Sequence, residues 1–188
     1  PTKGIRILRS IPDIRVLQGN PAGNVVLYGL TMTYDGYLVV NFNNGVAVMA
    51  RSMDPSTARF VAFGADETTH NSVAVDEKGG IYVASDKLMH KLVWTGTELS
   101  TREADGAWTS PYDAPAGAEP PVVKVGLGTG STPTLMGFGS DPDRLVAITD
   151  GCKQMKLVAF WRDDIPQGFT QRPGTLTNNA GSGRINAG

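Results

Sequence analysis

Three stretches of this chain share one layout, and that repetition narrows its possible folds more than any other feature. The first runs from Leu30 through the turn at Asp35-Gly36 and the apolar run Tyr37-Leu38-Val39-Val40 to Asn43, then resumes after Asn44-Gly45 as Val46-Ala47-Val48-Met49. The second runs from Ser72 through Asp76 and Gly79-Gly80 into Ile81-Tyr82-Val83-Ala84, reaches Asp86, and resumes around His90 to Trp94. The third starts at Thr134, turns through Gly139-Ser140-Asp141-Pro142-Asp143, continues as Leu145-Val146-Ala147-Ile148 to Asp150, and resumes at Met155 to Trp161. Each copy reads as a strand, an Asp/Gly/Pro turn, a second apolar strand ending on Asn or Asp, a short loop and a third strand. Self-similarity at a period of about 40 to 50 residues is what the blades of a β-propeller produce.

The register can be followed on the polar residue that ends the second strand. Asn43 and Asp86 are 43 residues apart, a normal blade, whereas Asp86 and Asp150 are 64 apart. The excess coincides with residues 102–121, rich in Ala, Pro, Gly and acidic side chains, which reads as a loop inserted between blades. The apolar runs are strand-length and rich in β-branched and aromatic residues, and no ten-residue stretch carries a clean helical period bounded by caps. The expected fold is therefore all-β: a partial β-propeller of about three four-stranded blades at residues 28–69, 70–121 and 122–166. Residues 1–27 are expected to supply the outer strand of a preceding blade and an entry loop, and 167–188 a flexible tail without apolar anchors. Propellers close with about four to eight blades, so a second copy of the chain, or blades beyond this sequence, are expected to complete the ring.

Composition removes several classes of function. With 17 Lys plus Arg against 18 Asp plus Glu and no basic run, a nucleic-acid backbone has nothing to grip. The single cysteine, Cys152, excludes an internal disulfide and a multi-cysteine zinc motif; beside no histidine, it reads as a bystander thiol. Apolar runs such as Leu157 to Trp161 fall far short of the roughly 20 residues that span a bilayer, and no membrane span is expected. The absence of an initiator Met and of an apolar leader fits a processed secreted or periplasmic chain as well as a piece of a longer one.

In an up-and-down blade, the loop entering the first strand and the loop joining the second to the third lie at the same end. This places His70, Asn71, Ser131 and Thr132 near the propeller axis, with Asn43, Asp86 and Asp150 further out. Asn71, Asp86 and Asp150 are the candidate metal ligands, since calcium takes about six to eight oxygens that several blades could share. His70 is the candidate general base. The strand-end residues Asn43, Asp86 and Asp150 also suit a scaffold role, accepting backbone N–H bonds and fixing the following turn. Thr132 and the aromatic pair Trp108 and Tyr112, expected on the exposed inserted loop, are the candidate ligand contacts. Trp94 and Trp161 occupy equivalent third-strand ends and suit packing between blades, while His90 reads as a partly buried structural residue. Gly126-Leu127-Gly128-Thr129-Gly130 lacks the Lys of a phosphate loop and leads into a strand, so it reads as a tight crossing between blades.

The segment Asn71 to Asp86, followed by His90-Lys91-Leu92, resembles the blade pattern of NHL-repeat proteins and of the gluconolactonase, paraoxonase and strictosidine-synthase-like propellers. It covers one blade well and, with the looser first and third copies, residues 28–161. In the hydrolase branches of that superfamily, Asn, Asp and Glu on the loops entering the inner strands hold a cation in the central channel; Asn71 stands at such a position. Tyr28-Gly29 and Ser131-Thr132-Pro133, the corresponding entries of the other copies, supply no amide or carboxylate. Two functions follow as expectations. One is a propeller module that binds a small molecule or a protein on its loop face, with residues 102–121 as the specific element. The other is a metal-dependent hydrolase of small esters or lactones, in which a channel calcium polarises the carbonyl and His70 acts as base.

Overall fold

The computed structural model of the chain describes residues 4–19, 24–114, 126–152 and 155–170, together with the backbone of a short strand at Ile185–Asn186. Local turn chemistry sets the strand order. At Gly36 and Gly79 the backbone takes φ of 92° and 82°, a region that a side chain resists. The chain there reverses through Thr33 N–H to Tyr37 carbonyl and Asp76 N–H to Gly80 carbonyl bonds. The first sheet is consequently a meander of β1 (Leu27–Met32), β2 (Leu38–Phe42), β3 (Gly45–Met49) and β4 (Arg59–Ala62), each antiparallel to the next. The second follows the same order with β5 (Ala74–Val75), β6 (Gly80–Ala84), β7 (Leu88–Trp94) and β8 (Leu99–Ser100), and β9 (Trp108–Pro111) also pairs with β7. In the third, β10 (Thr134–Met136), β11 (Leu145–Thr149) and β12 (Leu157–Trp161) form the meander, and β13 (Ile185–Asn186) lies along β12.

These sheets stack face to face in chain order, and between the first two the first strands meet (β1 on β5), as do the outer ones (β4 on β8). Strand alternation shows why. In β6, Ile81 and Val83 point back into a core with Val39, Val46 and Val48 of the first sheet. Tyr82 and Ala84 point forward into a second core with Val146, Ile148, Val158 and Phe160 of the third. A strand buried on both faces reads as an unbroken apolar run, which is how Gly80 to Ala84 reads. Trp94 packs in the first of these cores and tilts against Tyr37, 4.7 Å between ring centres, as expected of inter-sheet packing. Trp161 instead meets Phe169 edge-on at 5.5 Å.

Two local expectations are corrected. In the described part of residues 1–27, Asp13 caps a 3-10 turn at Ile14–Gln18 by accepting the Arg15 N–H, and Ile11, Ile14, Val16 and Leu17 cover the outer face of the first sheet against Val40, Phe42, Ala47 and Met49. The stretch expected as an inserted loop carries strand β9, and β8 and β9 together make the fourth strand of the middle sheet. β8 pairs with Val93–Trp94, β9 pairs with Leu88 to Lys91, and a 3-10 turn at Glu103–Asp105 bulges out between them. Pro111 made this stretch read as loop, yet an edge strand tolerates proline because it need not donate outward. Of the expected loop, residues 115–121 lie outside the described residues, as does most of the expected tail. The second corrected expectation is the register of Asp150 at the end of β11.

Candidate functional site

At one end of the stack, the hairpins between second and third strands meet the segments entering the next sheet. The first two copies are clamped in the same way. Asn43 Oδ1 accepts the Val26 N–H at 2.8 Å while the Asn43 N–H donates to the Val26 carbonyl. Asp86 Oδ1 accepts the Thr68 N–H at 2.9 Å while its own N–H donates to the Thr68 carbonyl. In the third copy the matching N–H belongs to Gly151, which donates to the Asp113 carbonyl. The structural counterpart of Asn43 and Asp86 is thus Gly151 rather than Asp150, because a longer hairpin displaces the polar residue by one position. Side chains alternate across a strand, so the one-residue shift turns Asp150 to the other face. It occupies the place of Phe42 and Ser85 and points back toward the middle sheet.

Near the first strands, side-chain amides tie the three sheets together. Buried Asn41 donates through Nδ2 to the Asn71 carbonyl at 2.5 Å, and Asn71 Nδ2 donates to the Thr129 carbonyl at 2.8 Å. The Thr129 hydroxyl lies 2.9 Å from that of Ser131, which accepts the Thr149 N–H. His70 is half-buried, edge-on to Tyr28 at 5.5 Å, and its ring fills the space where a Cβ on Gly126 would stand. Its Nδ1 is enclosed, with no hydrogen-bond partner among the described residues. Thr132 is exposed and lies with Thr134, Met136 and Leu157 along an open hollow on the outer face of the third sheet.

The aromatic pair expected on an exposed loop is buried. Trp108 is 3% and Tyr112 4% exposed, and both belong to the core between the second and third sheets. Trp108 stacks on Phe160 and donates Nε1–H to the Arg162 carbonyl at 3.2 Å. Tyr112 donates its hydroxyl to the Ser85 carbonyl and accepts the Thr129 N–H at 2.8 Å; burial pushes its ionisation upward. The period-2 alternation of Trp108, Ser110 and Tyr112, all inward, was the available signal.

Asp150 lies among groups that sequence reasoning did not bring to it. Asp113, Asp150 and Cys152 place one ligand atom each within 4.8 Å of one another, so Asp150 is grouped with these two and not with Asp86. Asp150 is 0% exposed; its Oδ1 accepts the Cys152 and Lys156 N–H groups, both at 3.1 Å. Lys156 Nζ donates to Asp113 Oδ2 at 2.8 Å and stands 3.5 Å from Asp150 Oδ2. Burial, and then the Asp150 carboxylate, push the Cys152 thiol up.

A parallel arrangement joins the first two sheets. Ser85 Oγ donates to Glu67 Oε2 at 2.7 Å and His90 Nε2 lies 2.9 Å from the same oxygen, while the His90 ring stacks on Phe63. The His90 bond, aided by that of Ser85, holds Glu67 down at about 2. His90 is thus the structural residue it was expected to be.

The opposite end carries a buried charged network that the residue pattern did not reveal. Asp76 accepts the Lys78 and Gly80 N–H groups and the Tyr82 hydroxyl, with Arg162 Nη2 at 3.8 Å. Arg162 and Asp76 are 0% and 1% exposed. Lys91 donates to the Arg162 carbonyl at 2.6 Å and to Asp163, and Arg144 bridges Glu77 and Asp163. These charges staple the second sheet to the third. Among the described residues no helix is long and apolar enough to cross a membrane.

No protein-family profile matches the chain. It is similar to an uncharacterized protein of Archaeoglobus fulgidus, 38% identical over 144 residues. The match covers 75% of this chain and 26% of that protein, so the chain spans about a quarter of the length of the curated relative it matches.

Proposed function

We propose that the three sheets are consecutive blades of a β-propeller, and that this chain is a binding module whose ligand or protein partner docks where the entry segments converge, around His70, Asn71, Thr129 and Ser131. The observation that carries the reading is the amide ladder from Asn41 through Asn71 to Thr129, which joins three separate sheets at their first-strand side. Sheets that stack in chain order, with first strand on first strand between the first two, are the arrangement that radial blades require. Exposed Met136 and Leu157 on the outer face of the third sheet suit the packing of a further blade. In the Archaeoglobus relative the matched part is about a quarter of the length, which leaves room there for more.

The hydrolase reading asks more of the same residues. Asn71 donates its side-chain amide to the Thr129 carbonyl and accepts from Asn41 on its backbone carbonyl, contacts that hold the sheets together, while the corresponding entries of the other copies, Tyr28-Gly29 and Ser131-Thr132-Pro133, supply no carboxylate or amide side chain to complete a cation site, so the binding reading is preferred. The test is amide chemical-shift mapping of the 15N-labelled chain against panels of small metabolites and peptides, with light scattering of the same sample. Shifts concentrated at residues 70–72 and 129–132, in a particle of twice the 19.9 kDa chain mass, support the module and its closure by a second copy. Shifts confined to the opposite end, at residues 76–79 and 141–144, would overturn the choice of face.

A further inference from the structure

We propose that the cleft between the middle and third sheets is a binding site for a thiophilic divalent cation of the zinc class, held by Asp113, Asp150 and Cys152. This site is separate from the one around Asn71 and stands whether or not the sheets belong to a ring.

The repeat itself supplies the comparison. At the strand end where Asp150 sits, the earlier copies carry Phe42 and Ser85, so the scaffold does not require a carboxylate. Burying a charged carboxylate is costly unless cations or donors compensate it. Asp150 Oδ1 is satisfied by two backbone N–H groups. Its Oδ2 is buried, accepts no hydrogen bond among the described residues, and has Lys156 Nζ 3.5 Å away as an ion-pair partner. That oxygen belongs to the Asp113, Asp150 and Cys152 group, whose ligand atoms lie within 4.8 Å of one another.

Bonds of about 2.0 to 2.3 Å in tetrahedral geometry set zinc ligands roughly 3.5 Å apart, within reach of small rotations here. A sulfur among the donors selects against calcium, which takes about six to eight oxygens, and favours zinc or a similar metal. The backbone holds the donors: the Gly151 N–H bonds the Asp113 carbonyl, and Gly128 packs directly against Gly151. Among the described residues Tyr112, Asp113, Ala114 and Cys152 line the cleft, and a water would complete the tetrahedron around the cation.

Lys156 now holds the place of the cation. Its side chain is 44% exposed and can swing outward. Binding then exchanges the ammonium for the metal and releases the thiol proton to solvent. Two carboxylates and one thiolate against a divalent ion leave a single negative charge, the same net charge that the two carboxylates, the neutral thiol and the Lys156 ammonium carry before binding.

The test is titration of the whole chain, kept reduced with a phosphine, with Co2+ and then with Zn2+ in competition. A sulfur-to-cobalt charge-transfer band that Zn2+ abolishes is expected. Cys152→Ser should remove the band and weaken Zn2+ binding at least about tenfold, while Lys156→Met should tighten it by removing the competing ammonium. Apo melting temperatures of both variants check that each is folded, and Asp113→Asn provides a third variant that leaves buried Asp150 in place. Absence of the band in the parent chain, equal Zn2+ affinity in Cys152→Ser, or weaker binding in Lys156→Met would each overturn the site.

Discussion

Truncating Trp108 to alanine decides between an exposed loop and a structural outer strand for the segment that follows β8. The indole is 3% exposed, stacks on Phe160 at 5.9 Å and reaches Tyr82 at 6.3 Å. Deleting a buried tryptophan costs about 3–5 kcal/mol through lost transfer energy and the cavity left behind. Its Nε1–H bond to the Arg162 carbonyl adds about 1 kcal/mol at most, because Lys91 still donates to that carbonyl at 2.6 Å. A total of about 3–6 kcal/mol lowers the melting temperature by roughly 6–24 °C in a chain of this size. Urea unfolding followed by circular dichroism measures the effect without relying on tryptophan emission. Glu103→Ala, at an exposed position in the same segment, should stay within about 0.5 kcal/mol. A loss below about 1 kcal/mol for Trp108→Ala would refute the burial of β9 and return residues 102–114 to the status of a surface loop.

The Glu67 latch predicts a pH signature. Its carboxyl is held at about 2 instead of 4.5, so its stabilisation is complete above the unfolded value and disappears as pH falls from about 4.5 toward 2. The full shift corresponds to about 3 kcal/mol, which solvent at the mouth of the latch screens to about 1–2 kcal/mol. Glu67→Gln should therefore melt lower than the parent at pH 6 and converge with it near pH 2; a gap that is independent of pH would refute the latch. At the other end, Asp76→Ala should cost about 3–5 kcal/mol by leaving the buried Arg162 charge to Glu77, 3.6 Å away, and by taking the acceptor from the buried Gly80 N–H and Tyr82 hydroxyl. Pairing it with Arg162→Met should recover at least about 1 kcal/mol of the summed single losses, whereas additivity within about 0.5 kcal/mol would show that the two do not interact.

Much of the site was legible only as a neighbourhood. His70, Asn71 and Ser131 were picked out because strand reversal forces their loops to one end, and the ladder through Asn71 and Thr129 lies there. The linear likeness of Asp150 to Asn43 and Asp86 conceals a one-residue offset. The longer hairpin after Asp150 makes that offset, and hairpin length is free to vary without changing the apolar pattern. Asp113, which lies beside Asp150, is 37 residues earlier in the chain, and nothing local marks the pair.

What the chain alone determined is the all-β class and the three meanders, because alternation, β-branching and Asp/Gly turns act over a few residues and leave a readable period. Only the tertiary structure decided which strand ends face which sheet, that β8 and β9 share one edge, and that Trp108, Asp76 and Arg162 are buried. Those outcomes depend on contacts between segments far apart in sequence, where one residue of register turns a side chain from one interface to the other.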